Sequence, residues 1–399
     1  MLPFCISLSA LILAVVLLLK RAFQIRIHHS KLPAIHDLLN PPSTHLSTLL
    51  RARAEPNLRL VRAFDLHNTF VSPDPDIHKR FAARAVHLLR RHTQSFTGFP
   101  DATRDIASES LSHMLAGGQP VPYDTFIQVT TLRVITVTLL EGEIPVHDTD
   151  AVIFVAKAIN ELWVLSKTCG SMPPGRLDAM NTHLRTWLPQ YEHPLDFIVP
   201  TYETMWRVVA IAVARAHADD ASLHAFCEYI DDPVDAQFQL FAYDRPSVEA
   251  FLNEVLRLHP PSKHISRASA SSLEFPLSLF SALPWLPASI RQKFTPVDVA
   301  DIQAIHRDEE VWGGTASAFD PMRFHPSRVT REQKLALLPF GYGPLRCVAY
   351  KEAPRIAAVV VGVILEALAG TASPYTLTCG AEVGGRDGWD DWAIEKRTE

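Results

Sequence analysis

The feature that most constrains this chain is a cysteine near its C-terminus, together with the residues around it. Cys347 closes the segment Leu338-Pro-Phe340-Gly341-Tyr342-Gly343-Pro-Leu345-Arg346-Cys347, and Ala349 follows two positions later. Two glycines within three residues let the backbone turn tightly and approach a flat ligand, because a residue without Cβ tolerates positive φ. Lys351 to Ala369 then carries the content of a helix. A helix that begins just after a thiol favours its thiolate, since the N-terminal end attracts negative charge. A lone cysteine is more often a buried structural thiol, so the significance of Cys347 depends on its companions.

Those companions lie upstream. Val248, Phe251, Leu252 and Val255 repeat at steps of three and four, which predicts a helix over Pro246 to Leu258 that Pro260 and Pro261 end. Glu254 and Arg257 stand three apart on it, so their side chains share a face and can pair with each other or with a third group. Further on, Phe319-Asp-Pro-Met-Arg323-Phe324 sets Arg323 between aromatic residues, where a guanidinium can stack and still reach a carboxylate.

The rest of the chain reads as mainly α with small β-sheets. Ile77 to Arg91, Tyr123 to Leu140 and Ala151 to Ser166 have helical content, and Ser171 to Gly175 punctuates them. Leu195 to His217 is a long apolar helix with Pro200 inside it, which removes one backbone hydrogen bond and predicts a kink. From Ser262 to Asp298, prolines, serines and short apolar runs predict strands and turns. With 399 residues, nearly half apolar, the chain can bury a large core.

Composition excludes several functions. A net charge of -5 without a basic half gives no nucleic-acid partner. The five cysteines lack paired spacing, which argues against a disulfide framework or structural zinc. There is no H-E-x-x-H, G-x-S-x-G or Walker sequence, and Gly341-x-Gly343 lacks the third glycine of a dinucleotide loop.

At the other end, Leu2 to Leu19 is a run of 18 uncharged residues followed by Lys20, Arg21, Arg26 and Lys31. It is just long enough to span a bilayer, and basic residues after the apolar run predict an uncleaved anchor with the body cytosolic. The expected organisation is an anchor at 1–21, a linker at 22–45 broken up by Pro33, Pro41 and Pro42, and one large domain at 46–399.

Taken in order, Glu254-x-x-Arg257, Phe319-x-Pro-x-Arg323-Phe324 and Phe340-x-x-Gly343-x-x-x-Cys347-x-Ala349 resemble the cytochrome P-450 family, in a fungal-like microsomal form. The resemblance covers Leu195 to the C-terminus. It implies the P-450 fold and haem b, with the Cys347 thiolate as axial ligand of the iron and Phe340, Gly343 and Arg346 beside it. Glu254, Arg257 and Arg323 would form a buried structural triad. Pro200-Thr-Tyr-Glu203-Thr204 is similar to the family's oxygen-binding segment, so Glu203 and Thr204 would be the catalytic pair that relays protons during oxygen activation.

The resemblance also has departures. Pro200 and Thr201 stand where small residues are usual. Leu345 replaces the usual partner of a haem propionate, for which Arg267 is the substitute candidate. The N-terminal half is short and lacks a Trp-x-x-x-Arg helix; Asp76 to Arg84, with His78 and Arg80, is the nearest remnant, and Trp163 with Lys167 fits the spacing only loosely.

The implied function is oxidation of an apolar small molecule with dioxygen, using electrons from an NADPH-dependent flavoprotein reductase that docks near Arg346, Lys351 and Arg355. The implied location is the endoplasmic reticulum membrane. The alternatives are a haem-thiolate isomerase or dehydratase of hydroperoxides, and a haem-binding remnant without a pocket.

Overall fold

The computed structural model describes residues 26–93, 96, 98–168, 171–243, 245–269, 296–369 and 373–397. The expected anchor, Leu2 to Leu19, lies outside them, as does most of the stretch expected to form strands and turns between Ser262 and Asp298.

Helices dominate. In chain order the longer ones are α1 (Leu32–Leu39), α2 (Leu46–Phe64), α3 (Pro75–Thr93), α4 (Phe99–Met114) and α5 (Tyr123–Val134). They continue as α6 (Thr149–Ser166), α7 (Arg176–Trp187), α8 (Leu195–His217), α9 (Asp220–Asp231), α10 (Val248–Leu258) and α11 (Glu352–Ala369). Two small sheets accompany them. In the first, β4 (Val297–Asp301) lies between β1 (Arg26–His29), parallel to it, and β3 (His264–Ala268), antiparallel. In the second, β6 (Ala393–Lys396) lies between β2 (Val121–Pro122) and β5 (Tyr375–Thr378), antiparallel to both.

The core is built around α8, which packs against α5, α9, α10 and α11. Among the described residues it is the helix long and apolar enough to cross a membrane, yet 72% of its most apolar stretch is buried in the protein, as in a core helix. Pro200 cannot donate the amide bond to the Asp196 carbonyl one turn back. The Asn68 side-chain amide takes that carbonyl at 2.8 Å, while the Asp196 carboxylate accepts from the His67 amide at 2.8 Å. The loop after α2 thus fills the gap that proline opens in the central helix.

Two expectations change. Tyr123 to Leu140 is not one α-helix, because α5 passes into a π-helical turn at Ile135–Leu139. More consequentially, residues 26–39, expected within the linker, are structured. Arg26–His29 pairs with β4, and α1 buries Ile35 and Leu39 in a core with Trp312, Phe324 and Leu338.

α10 shows why its sequence folds as it does. Ser247 caps it by accepting from the Ala250 amide at 3.1 Å, and its apolar stripe is buried with Phe251 and Val255 almost fully enclosed. Each such side chain contributes roughly 1.5–3 kcal/mol by leaving water. That burial fixes which way Glu254 and Arg257 point.

Candidate active site

The structure brings Glu254, Arg257 and Arg323 together. Both carboxylate oxygens of Glu254 accept from Arg257, each at 2.7 Å, in a two-pronged pair with no solvent exposure on either side chain. Arg323 lies 3.7 Å from Glu254, and the Asp320 amide donates to the same carboxylate at 2.9 Å. Arg257 spends its other N–H groups on the carbonyls of His306, Ala316 and Ala318 and lies over the Trp312 ring. Arg323 donates to the carbonyls of Trp312 and Thr315. Two cations on one carboxylate, with carbonyls taking most of the remaining donors, form a buried network in which the Arg323 Nε alone lacks a hydrogen-bond partner.

His306 carries this network to the cysteine loop. Its Nε2 accepts from the Leu338 amide at 2.9 Å, so its Nδ1–H donates to the Arg257 carbonyl at 3.0 Å. Burial holds its pKa down at about 3, which keeps the ring neutral.

Beyond Leu338 the loop turns at Gly341 and Gly343, whose φ values are +73° and +71°. At Gly343 a Cβ would stand 2.7 Å from the side chain of Asn40, just past α1, so the glycine is required both for its φ and for this close approach. Tyr342 stacks on His36 of α1 with centroids 3.9 Å apart. The loop then closes as the Cys347 amide donates to the Phe340 carbonyl at 2.9 Å.

Cys347, Phe340 and Ala349 line a cavity of about 1770 Å³ that reaches to Thr204 and Glu203 on α8. The cysteine is exposed and borders this cavity. Burial pushes its thiol pKa up, against the opposing pull of the Ala349 amide and Arg346. The α11 helix begins at Glu352, with the Ala353 amide bonded back to the Ala349 carbonyl at 2.8 Å, and the amide that favours the thiolate is that of Ala349. Among the other described cysteines, Cys227 and Cys379 lie away from this cavity.

Two guanidiniums enter the same cavity without carboxylate partners among the described residues. Arg267 on β3 and Arg53 on α2 are each 7% exposed, and the Nε of each lacks a partner. Arg53 donates to the Thr69 carbonyl at 2.6 Å and to the Thr69 hydroxyl, which leaves that hydroxyl to donate to His78 Nδ1 at 2.8 Å. Burial, and then repulsion from Arg267, lowers the Arg53 pKa to about 9. Arg53 was missed in the sequence because α2 is polar, arginine-rich and interrupted by Pro56.

Both members of the expected catalytic pair line the cavity, and each is also hydrogen-bonded within the protein. Glu203 is 1% exposed and bound by Arg386, which also donates to Asn160 at 2.8 Å, and by Arg207 at 3.3 Å. Arg386 comes from the C-terminal loop that Tyr123, Trp389 and Trp392 hold by ring packing. Thr204 donates to the carbonyls of Pro200 and Thr201, each at 3.3 Å, bonding back along its own helix.

The expected docking cations are only partly available. Arg346 is exposed and lies 3.7 Å over the Tyr350 ring, and Lys351 is exposed, but Arg355 is paired with Asp235 at 3.0 Å and with Glu352.

The site therefore combines a mainly helical body, a cysteine loop on a deep cavity and two cations in the cavity wall. A family model described as Cytochrome P450 matches residues 292–366. Over 143 residues the chain is 32% identical to a benzoate 4-monooxygenase of Aspergillus niger, a match covering 35% of this chain and 26% of that protein. Over 147 residues it is 31% identical to an 11-oxo-beta-amyrin 30-oxidase of Glycyrrhiza uralensis, covering 34% and 26%. The matched part thus spans about a quarter of the length of these relatives. The haem domain of a cytochrome P450 variant has the same fold, with a TM-score of 0.59 over 94% of this chain and 87% of that one, at 14% identity. Residues 292–366 thus match the Cytochrome P450 family model, and the fold over most of the chain is that of a P450 haem domain.

The family implies haem with a cysteine thiolate, and the residues present fit that group. Cys347 opens onto the cavity, while the unsatisfied Nε atoms of Arg53 and Arg267 suit carboxylates brought in by a ligand.

Proposed function

We propose that this protein is a haem-thiolate monooxygenase that oxidises an apolar organic substrate with dioxygen and electrons from a flavoprotein reductase. The observation that carries this reading is the single cavity shared by Cys347, the carboxylate-free guanidiniums of Arg53 and Arg267, and the middle of α8. Cys347 would hold the iron, and Arg53 and Arg267 the propionates. When bound, the haem supplies oxygen activation.

The chain's own part is to bind, orient and exclude water. The wall formed by Phe70, Phe81 and Phe197 offers apolar surface to a substrate. Phe340 and the two glycines hold Cys347 in position, and the Ala349 amide and Arg346 favour negative charge on its sulfur. Thr204, with its hydroxyl on α8 beside the cavity, is the proton-handling group of this proposal. A volume of about 1770 Å³ speaks against a remnant that has lost its pocket. Anchoring of the body to the endoplasmic reticulum by Leu2 to Leu19 belongs to the same proposal.

Dioxygen uptake driven by NADPH and a microsomal reductase, coupled to an oxygenated product and lost in Cys347→Ala, is the expected result. One observation favours a second reading, in which the protein rearranges or dehydrates hydroperoxides. Glu203, clamped by Arg386 and Arg207, is poorly placed to relay protons, and hydroperoxide chemistry needs no such relay. Turnover of hydroperoxides without reductase, alongside no dioxygen uptake, would establish that alternative and overturn the monooxygenase reading.

A further inference from the structure

The part of the cavity wall around Trp163 carries more positive charge than the described residues neutralise. Three cations surround one indole: Arg59 lies 4.8 Å from the Trp163 ring centre, Arg386 5.8 Å and Lys167 6.0 Å. All four residues line the cavity. Glu203 serves Arg386 and Arg207 together, so it offers one negative charge to two guanidiniums.

Arg59 and Lys167 have no carboxylate partner among the described residues. Arg59 donates to the Ser166 hydroxyl, and its neighbour Arg62 to the carbonyls of Ser166 and Thr168 at 3.0 and 2.6 Å, all neutral acceptors. Burial, followed by repulsion from Arg386, Arg59, Arg207 and Lys263, lowers the Lys167 pKa to about 8. Burial and the charges of Arg26, Arg386 and Arg62 bring Arg59 down to about 10.

Such an arrangement holds like charges together, with Arg59 and Arg386 half-buried and Lys167 exposed at the cavity wall. It becomes favourable when an anion enters. Arg53 and Arg267 stand apart in their causes, Arg53 being lowered by burial and then by Arg267, and Arg267 by burial. The aromatic wall of Phe70, Phe81 and Phe197 lines the same cavity and suits an apolar body.

We propose that the substrate is a hydrophobic carboxylate, whose apolar body occupies the aromatic wall and whose carboxylate is bound by Arg59 and Lys167 beside Trp163. Arg386, already committed to Glu203, adds long-range attraction. This inference rests on the monooxygenase reading for what happens to the substrate, but not for its binding. Fixing the acid group at Trp163 would orient the rest of the molecule within the cavity.

The test uses the full-length, haem-loaded protein and two matched pairs of probes, dodecanoate with methyl dodecanoate and 4-tert-butylbenzoate with its methyl ester. Calorimetry gives affinity, and the Soret band reports occupancy near the haem. The acid should bind at least about tenfold more tightly than its ester on one or both frameworks, as expected for charge-assisted hydrogen bonds. Lys167→Gln and Arg59→Gln should each weaken the acid about tenfold and leave the ester unchanged, whereas Arg59→Lys should retain most of the acid affinity.

Equal affinity for acids and esters, no binding of either acid, or unaltered acid affinity in both glutamine variants would overturn the proposal. So would loss of haem from Lys167→Gln with acid selectivity intact, which would assign the lysine to the cofactor. A protein without a thiolate spectrum that still selects acids would sink the monooxygenase reading and leave this site standing.

Discussion

At the scale of single residues, the clearest consequences concern buried charge. Glu254 balances Arg257 and Arg323 with no solvent to replace it, so Glu254→Gln should leave two guanidiniums short of a counter-charge. The expected loss is about 3–5 kcal/mol in chemical denaturation. His306 predicts a pH effect of definite sign. Its folded pKa, about 3, lies below the ordinary value of 6.5, so the unfolded chain binds the extra proton first. Stability from this residue is therefore complete above pH 6.5 and falls as the pH drops from there toward 3. Denaturation midpoints measured between pH 7 and pH 5 should fall in the parent protein and fall less steeply in His306→Gln; equal slopes would contradict the assignment.

At the scale of elements, the cysteine loop and α1 depend on each other. Gly343→Ala would force a Cβ to within 2.7 Å of Asn40 at a positive φ, and should cost about 1–2 kcal/mol or more with weakened haem retention on dialysis. Asn68→Ala should leave the Asp196 carbonyl of α8 without its partner, at about 1 kcal/mol in thermal unfolding.

These element-level dependencies also mark what was legible in the sequence. The α10 helix and its Glu254–Arg257 face could be read because apolar spacing and a terminating proline pair are local signals. The triad and Cys347 were legible only through their order along the chain. Arg53 and Arg386 were not, because each acquires its partner from another segment of the chain. Nor could the sequence reveal that 26–39 forms part of the body, since β1 is four residues long and its partner β4 is far along the chain. The acid at Glu203 was visible as a type of residue, but the two arginines that occupy it were not.

At the scale of the whole molecule, two sheets and eleven longer helices among the described residues hold a large cavity lined by the cysteine loop and α8, with cationic groups in its walls. Arg53→Gln and Arg267→Gln should each weaken haem affinity without altering the preference of acids over esters. The division between cofactor-facing and substrate-facing charge would fail if both properties moved together. The central claim is that Cys347 ligates haem iron as a thiolate, and the absorbance spectrum of the reduced, carbon monoxide-bound protein tests it most directly. The account predicts a strongly red-shifted Soret band that disappears in Cys347→Ala. A histidine-type spectrum in the parent protein, or a red-shifted band that survives Cys347→Ala, would contradict it.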